Sequence, residues 1–336
     1  MTLLSSPARS LTCTLTCLAR SEPIRALALA GALLGAVLAP AGGVWAAPQP
    51  QLQPQPQAQP LRFVLIPKLS HPWFDAVRNG AQEAAAMIQS QSGKGAVIDY
   101  RPPASAEVGL QAAILEAAIG SRPSGISIDL LDAQRLRPLL EKARQQGIPV
   151  NVFDSEPPEA LPLTSIGTDF CKQARIASER LVQLLAGQGE VAIMQGVPTA
   201  PNHAIRARCH REVFARHPGI RVVASPIDND EIAVAQEQAS ATMRRHPQLR
   251  GWVVSDAGGG IGVARAITAL GRSGQVKVVA LDDLPELVGL IRSGAVDSSS
   301  ASRPRSQGYW SVLNLWQQGL GAPSIERIDT GIGVLR

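Results

Sequence analysis

The chain has 336 residues and a formal charge of +5. Its basic residues are scattered, with no run of them, which argues against a nucleic-acid surface. The length allows two lobes of roughly 100–200 residues, each with its own core. Residues 1–46 read as an export signal: Arg20 and Arg25, an apolar run from Ala26 to Ala39, then the small-residue site Val44-Trp45-Ala46. The apolar run falls short of the roughly 20 residues that span a bilayer as a helix. No later segment reaches that length without a charge or a proline. Cleavage after Ala46 removes Cys13 and Cys17 and leaves Cys171 and Cys209. In an oxidising compartment these two can form one disulfide, and spacing alone does not separate that from two buried thiols. Residues 47–60, APQPQLQPQPQAQP, alternate proline with glutamine and read as an extended tether.

From Leu61 the pattern alternates strand and helix. Strands are expected at Arg62–Pro67, Ala96–Tyr100, Gly125–Asp129, Pro149–Phe153 and Ser165–Thr168, and helices at Trp73–Gln89, Ala106–Gly120 and Ala133–Gln146. A second series places helices at Cys171–Ala186, Ala204–His217, Glu231–His246, Ile261–Leu270, Pro285–Ser293 and Gln307–Gln318. Its strands are Glu190–Gln195, Arg221–Ala224, Gly251–Ser255, Lys277–Leu281 and Val296–Ala301. Apolar strands alternating with helices imply an α/β fold with parallel sheets covered on both faces. Such sheets bind ligands beyond the carboxyl ends of their strands.

Polar and aromatic residues gather at those ends. Lys68-Leu69-Ser70-His71-Pro72-Trp73-Phe74 follows the first strand, Asp154-Ser155 follows PVNVF, and Asp256 follows GWVVS. A loop after the Glu190 strand leads to Arg206 and Arg208, and Ser302-Arg303 follows the Val296 strand. Aromatic faces stack on C–H surfaces, and Asp and Arg satisfy hydroxyls, so the set suits a small polyol.

The segments HPWFDAVRNGAQEAA, GISIDLLD, GIPVNVFDSE, SIGTDFCKQARIASE, IRARCHREVF, HPQLRGWVVSDAGGGIGVARAI, VVALDDLPE and IRSGAVDSSSASRPRSQGYWSV occur in order. Together they resemble the sugar-type periplasmic binding proteins of ABC importers, the ribose-binding family, over about residues 61–336. The resemblance implies a type 1 periplasmic binding protein: two doubly wound parallel-sheet lobes joined by a three-crossing hinge that close on one ligand. It divides the chain into residues 61–167 with 304–329, and 168–303 with 330–336. It places a polar donor at His71, stacking aromatics at Trp73 and Phe74, carboxylates at Asp154 and Asp256, and an arginine at Arg206 or Arg208. Residues two apart on a helix point to different sides, and Arg206 is preferred.

The chain departs from the ribose pattern at three places. Asn229 or Asp230 stands where the ribose binder has an aromatic, Gln236 or Glu237 where it has an amide, and Ser302 replaces a glutamine with Arg303 next to it. The extra arginine suggests a different ligand, an acidic or modified sugar.

Other chemistry finds no support in the sequence. Gly258, Gly259, Gly260 and Gly262 miss the dinucleotide spacing and read as a tight strand–helix turn. The histidines form no metalloprotease pattern and no nucleophile elbow occurs. Hence no enzyme activity, cofactor or metal is expected. The expectation is a monomer in the periplasm that hands a sugar or sugar-like ligand to an inner-membrane ABC permease. The alternative is a co-receptor presenting its ligand to a histidine kinase or chemoreceptor. A gene repressor of this fold ranks last, since the signal and the Pro/Gln tract occupy the place of a DNA-binding head.

Overall fold

The computed structural model describes residues 59–336. The expected signal, 1–46, and all but the last two residues of the expected tether, 47–60, lie outside the described residues. The first series runs β1 (Leu61–Ile66), α1 (Pro72–Ser92), β2 (Ala96–Tyr100), α2 (Val108–Gly120), β3 (Gly125–Ile128), α3 (Ala133–Gln145), β4 (Val150–Phe153) and β5 (Thr164–Gly167). The second runs α4 (Phe170–Leu184), β6 (Gly189–Met194), α5 (Pro201–Ala215), β7 (Ile220–Ala224), α6 (Ile232–Arg245), β8 (Leu249–Val254), α7 (Gly259–Ala269), β9 (Lys277–Leu281), α8 (Pro285–Arg292) and β10 (Ser298–Ala301). Then come α9 (Pro304–Gly319), β11 (Arg327–Asp329) and β12 (Gly333–Leu335).

The strands form two sheets, ordered β11-β5-β4-β3-β1-β2 and β12-β10-β9-β8-β6-β7. All recorded pairings are parallel except β10 with β12. The chain passes from one sheet to the other after β5, after β10 and after β11. Alternation within each strand explains how both faces are covered. In β1, Phe63 and Leu65 enter the layer that contains α1, while Val64 and Ile66 pack with Leu115, Leu136 and Leu140 on the other face. In β8, Trp252 and Val254 face one layer and Val253 the other, beside Leu181 and Phe214.

The return of α9 to the first sheet needs two glycines. A Cβ on Gly80 of α1 would stand 1.8 Å from the Arg305 carbonyl oxygen, and one on Gly308 of α9 would stand 1.9 Å from that of Val77. The two helices therefore touch backbone to backbone. Asp132 and Asp169 cap α3 and α4 by accepting from backbone amides at 2.8–3.0 Å. Cys171 of α4 and Cys209 of α5 are joined as a disulfide. The glycines at 258–262 serve close packing: a Cβ on Gly262 would lie 2.5 Å from Ala235 Cβ, and one on Gly260 would lie 2.6 Å from Ala280 Cβ.

Two differences from the sequence expectation bear on function. Helix α5 starts at Pro201 rather than Ala204, so Asn202 and His203 sit on its first turn. The C-terminal strands β11 and β12 were not expected, and β12 makes the second sheet mixed at its edge.

Candidate functional site

A small cavity lies where the carboxyl ends of both sheets meet. The β1–α1 loop supplies three parts of its wall. Lys68 is fully buried, and its Nζ donates to Asp129 Oδ2 at 2.8 Å, with Asp154 Oδ2 at 3.9 Å. His71 caps α1: its Nδ1 accepts from the Trp73 amide at 3.2 Å, so the ring proton sits on Nε2, which has no partner. Trp73 and Phe74 pack edge to face, with ring centroids 5.0 Å apart, and both line the cavity. Asp154 follows β4 directly, at φ +41°, and gathers contacts from both lobes. Its Oδ2 accepts from Asn202 at 2.6 Å, and its Oδ1 lies 3.4 Å from Gln307 Nε2 and 3.6 Å from Arg206 Nη2.

The second sheet supplies the opposite wall. Arg206 is 1% exposed; its Nε donates to Gln173 Oε1 at 2.9 Å and its Nη1 to the Ser255 carbonyl at 3.3 Å. Its guanidinium lies over the Phe170 ring at 4.9 Å. That leaves Nη2 without a hydrogen-bond partner. His203 accepts from the Val197 amide through Nδ1 at 2.8 Å, which puts its proton on Nε2 as well. Asp256 accepts from the Gly259 amide at 2.6 Å through Oδ1, at the start of α7. Asp282 follows β9 at φ +65° and takes both the amide and the hydroxyl of Ser302, at 2.8 and 2.5 Å. Asp230, at φ +66°, completes the lining. Aspartate tolerates the left-handed region better than most residues, yet each such conformation costs on the order of 1–3 kcal/mol. Three of the four lining carboxylates are held in it.

Burial dominates the electrostatics. It pushes Asp256 up to about 7 and Asp282 up to about 6. Asp228, packed behind Asp256, is also raised well above the carboxylate range, by burial and by the Asp256 charge. Burial lowers His71, and burial together with Lys68 and Arg206 lowers His203 far below the usual imidazole value, so both rings are neutral. Lys68 is held above the usual lysine value because Asp129, Asp154 and Asp230 together outweigh its desolvation. The cavity thus presents N–H donors from His71, His203, Trp73, Arg206 and Lys68, interleaved with carboxylate acceptors.

The structure brings His71, Trp73, Phe74, Asp154, Arg206 and Asp256 to one cavity. Ser302 stands behind its wall, holding Asp282. Arg208 is on the surface, paired with Glu212 at 3.1 Å. Gln236 is half-buried on α6, where its backbone packs against Gly262 of α7, and does not line the cavity. Arg303 is exposed, with its guanidinium beside Gly333. The arginine on which the expectation of an acidic or modified sugar rested therefore does not reach the cavity, whose lining sets four carboxylates beside Lys68 and Arg206. Sequence reasoning placed Lys68 in a strand-end loop and Asn229 or Asp230 at a departure from the family pattern without choosing either as a ligand residue, and it missed His203 and Asp282 as lining residues. Their position just beyond β1, β6, β7 and β9 was the available signal.

A wider depression lined by 156–163 and 324–327 is open to solvent, and none of its lining residues holds a buried polar atom without a partner. Cys171, Cys209 and Glu212 bring three ligand-type atoms together, but both sulfurs are bonded to each other. Among the described residues no helix is long and apolar enough to cross a membrane.

The family model for the periplasmic binding protein domain matches residues 63–322. Over 192 residues the chain is 31% identical to the D-ribose/D-allose-binding protein of Pseudomonas aeruginosa, covering 55% of this chain and 60% of that protein's length. It is 26% identical over 255 residues to the D-allose-binding periplasmic protein of Escherichia coli, covering 73% and 80%. A solute-binding protein of an ABC transporter from Burkholderia graminis, solved in complex with D-arabinose, matches with a TM-score of 0.78 at 29% identity, over 84% of this chain and 96% of that one.

Proposed function

The chain belongs to the periplasmic binding protein domain family, and from that premise we propose that it captures a sugar or sugar-like molecule between its lobes and delivers it to an ABC importer. The lobes are residues 61–167 with 304–329, and 168–303 with 330–336. The three passages between the sheets act as the hinge on which they close. The protein works as a monomer in the periplasm, and its partner is an inner-membrane permease that recognises the closed form. It binds its ligand without converting it.

One observation carries the reading. Strand ends from both sheets deliver aromatics, neutral imidazole donors, two cations and four carboxylates to one small buried cavity. Each sugar hydroxyl both donates and accepts, and alternating N–H and carboxylate groups satisfy both roles. The ligand-binding side chains are His71, Trp73, Phe74, Asp154, Arg206 and Asp256, joined by Lys68, His203, Asp230 and Asp282.

A thermal-shift screen over pentoses, hexoses, polyols and sugar acids tests this. A ligand at about 100 times its Kd stabilises the fold by about 2.7 kcal/mol, enough to raise the melting temperature visibly. A neutral sugar or polyol is expected to do so and sugar acids are not. A flat response from every sugar and polyol would overturn the reading.

A further inference from the structure

We propose that the ligand carries a protonated amine, as an amino sugar or an aminated polyol does, with its ammonium group against Asp230 and Asp256. The proposal rests on the sugar-binding reading above and narrows its ligand class. It begins from an imbalance in charge. Lys68 is matched by Asp129 at 2.8 Å and Asp154 at 3.9 Å, and Arg206 by Asp154 at 3.6 Å. What remains on the second-lobe wall is Asp230 and Asp256, with the protonated Asp228 behind them, and among the described residues none of these has a lysine or arginine within ion-pair distance. All three are at most 5% exposed.

Their surroundings repeat the point. The groups that act on Asp256 are Asp228, Asp230 and the amides of Gly258 and Gly259, with no cation among them. Across the cleft the Asp230 charge acts on Lys68 and on the neutral His71. The Oδ2 atoms of Asp228 and Asp256 converge beside Gly259, where a Cβ would stand 3.1 and 2.9 Å from them, and the two carboxyl groups share a hydrogen bond in which Asp228 holds the proton. Independently of these acids, Trp73 and Arg206 line the same cavity, and Trp73 Nε1 and Arg206 Nη2 are buried there without hydrogen-bond partners.

A hydroxyl donates one hydrogen bond and brings no charge. An ammonium brings three donors and the positive charge the wall lacks, in a setting where charge-assisted bonds are strongest. Asn229 or Asp230 stands where the resembling family has an aromatic, and of the two only Asp230 lines the cavity, as a charged contact rather than a stacking one. The aromatic rings of Trp73 and Phe74 on the facing lobe tolerate a cation as they tolerate a C–H surface.

The test is titration calorimetry of the protein near pH 7.5 with matched pairs: D-glucose and D-glucosamine, D-galactose and D-galactosamine, D-mannose and D-mannosamine, and D-ribose and D-arabinose with their 2-amino-2-deoxy forms. In at least one pair the amino form is expected to bind about fivefold tighter or more, a preference that charge pairing readily supplies. That preference should fall below about fivefold in Asp230→Asn, checked for folding by its melting temperature, with Asp256→Asn as the second variant. Smaller preferences in every pair, or a preference that survives both substitutions, would overturn the inference while neutral-sugar binding leaves the sugar reading standing. Binding by no member of any pair overturns both.

Discussion

Asp256 accepts the Gly259 amide with one carboxyl oxygen and turns the other toward the Asp228 carboxyl. Burial raises it from 3.8 to about 7. An acid whose folded pKa lies above its unfolded value gives the fold an advantage at low pH that is lost as pH rises from about 4 to about 7. At neutral pH the side chain is thus a liability to the free protein. Asp256→Asn keeps the oxygen that accepts from Gly259 and removes the charge. Chemical denaturation should find the variant more stable than the parent by about 1–3 kcal/mol near pH 8 and no more stable near pH 4. A variant equally destabilised at both pH values would show that Asp256 acts through its hydrogen bond alone. At this scale the sequence revealed the side chains set by strong local patterns: His71, Trp73 and Phe74 at a helix start, Asp154 and Asp256 beyond apolar strands, and Arg206 on a helix. Asp282 was hidden, and Asp230 was left undecided beside Asn229, because an aspartate beyond a strand also serves as a turn or cap residue. Only the approach of the second wall makes the difference. His203 was hidden because α5 begins one turn earlier than its apolar pattern suggested.

Helices α4 and α5 are positioned by contacts close to the cavity. Cys171 lies two residues before Gln173 on α4, and Cys209 lies three residues after Arg206 on α5. The disulfide therefore clamps the pair of helices next to the Gln173–Arg206 hydrogen bond that aims the guanidinium. Closing a loop between residues 38 apart contributes about 2–4 kcal/mol to stability. The double variant Cys171→Ser with Cys209→Ser should lose that much in denaturant unfolding and also bind its ligand more weakly in calorimetry. Unchanged stability would contradict the first part, and unchanged affinity the second. The long elements were legible because apolar periodicity marks a buried face. Strands β11 and β12 were not, because each has three residues, none of them fully buried. Their place is set by pairing with β5 and β10, which no local pattern encodes.

Across the whole molecule, the two sheets point their carboxyl ends at each other, so residues distant in sequence form one cavity. Further contacts join the lobes near it: Thr199 Oγ1 donates to the Leu131 carbonyl at 2.8 Å, and Val197 and Ala200 pack on Leu131. The parallel α/β architecture could be read from strand–helix alternation, and the cleft from the strand-end rule. The charge balance of the cavity could not, since it depends on which of the many aspartates and arginines turn inward. Arg206 turns in and Arg208 and Arg303 turn out. The central claim is that this cavity binds a sugar-class ligand through side chains from both lobes. Calorimetry of the parent protein, Asp154→Ala and Arg206→Ala with the tightest ligand from the sugar screen tests it most directly. Saturable one-to-one binding by the parent and a loss of about 1–3 kcal/mol in each variant are expected, since each substitution leaves buried hydroxyls of the ligand unpaired. Parental affinity in both variants would contradict it.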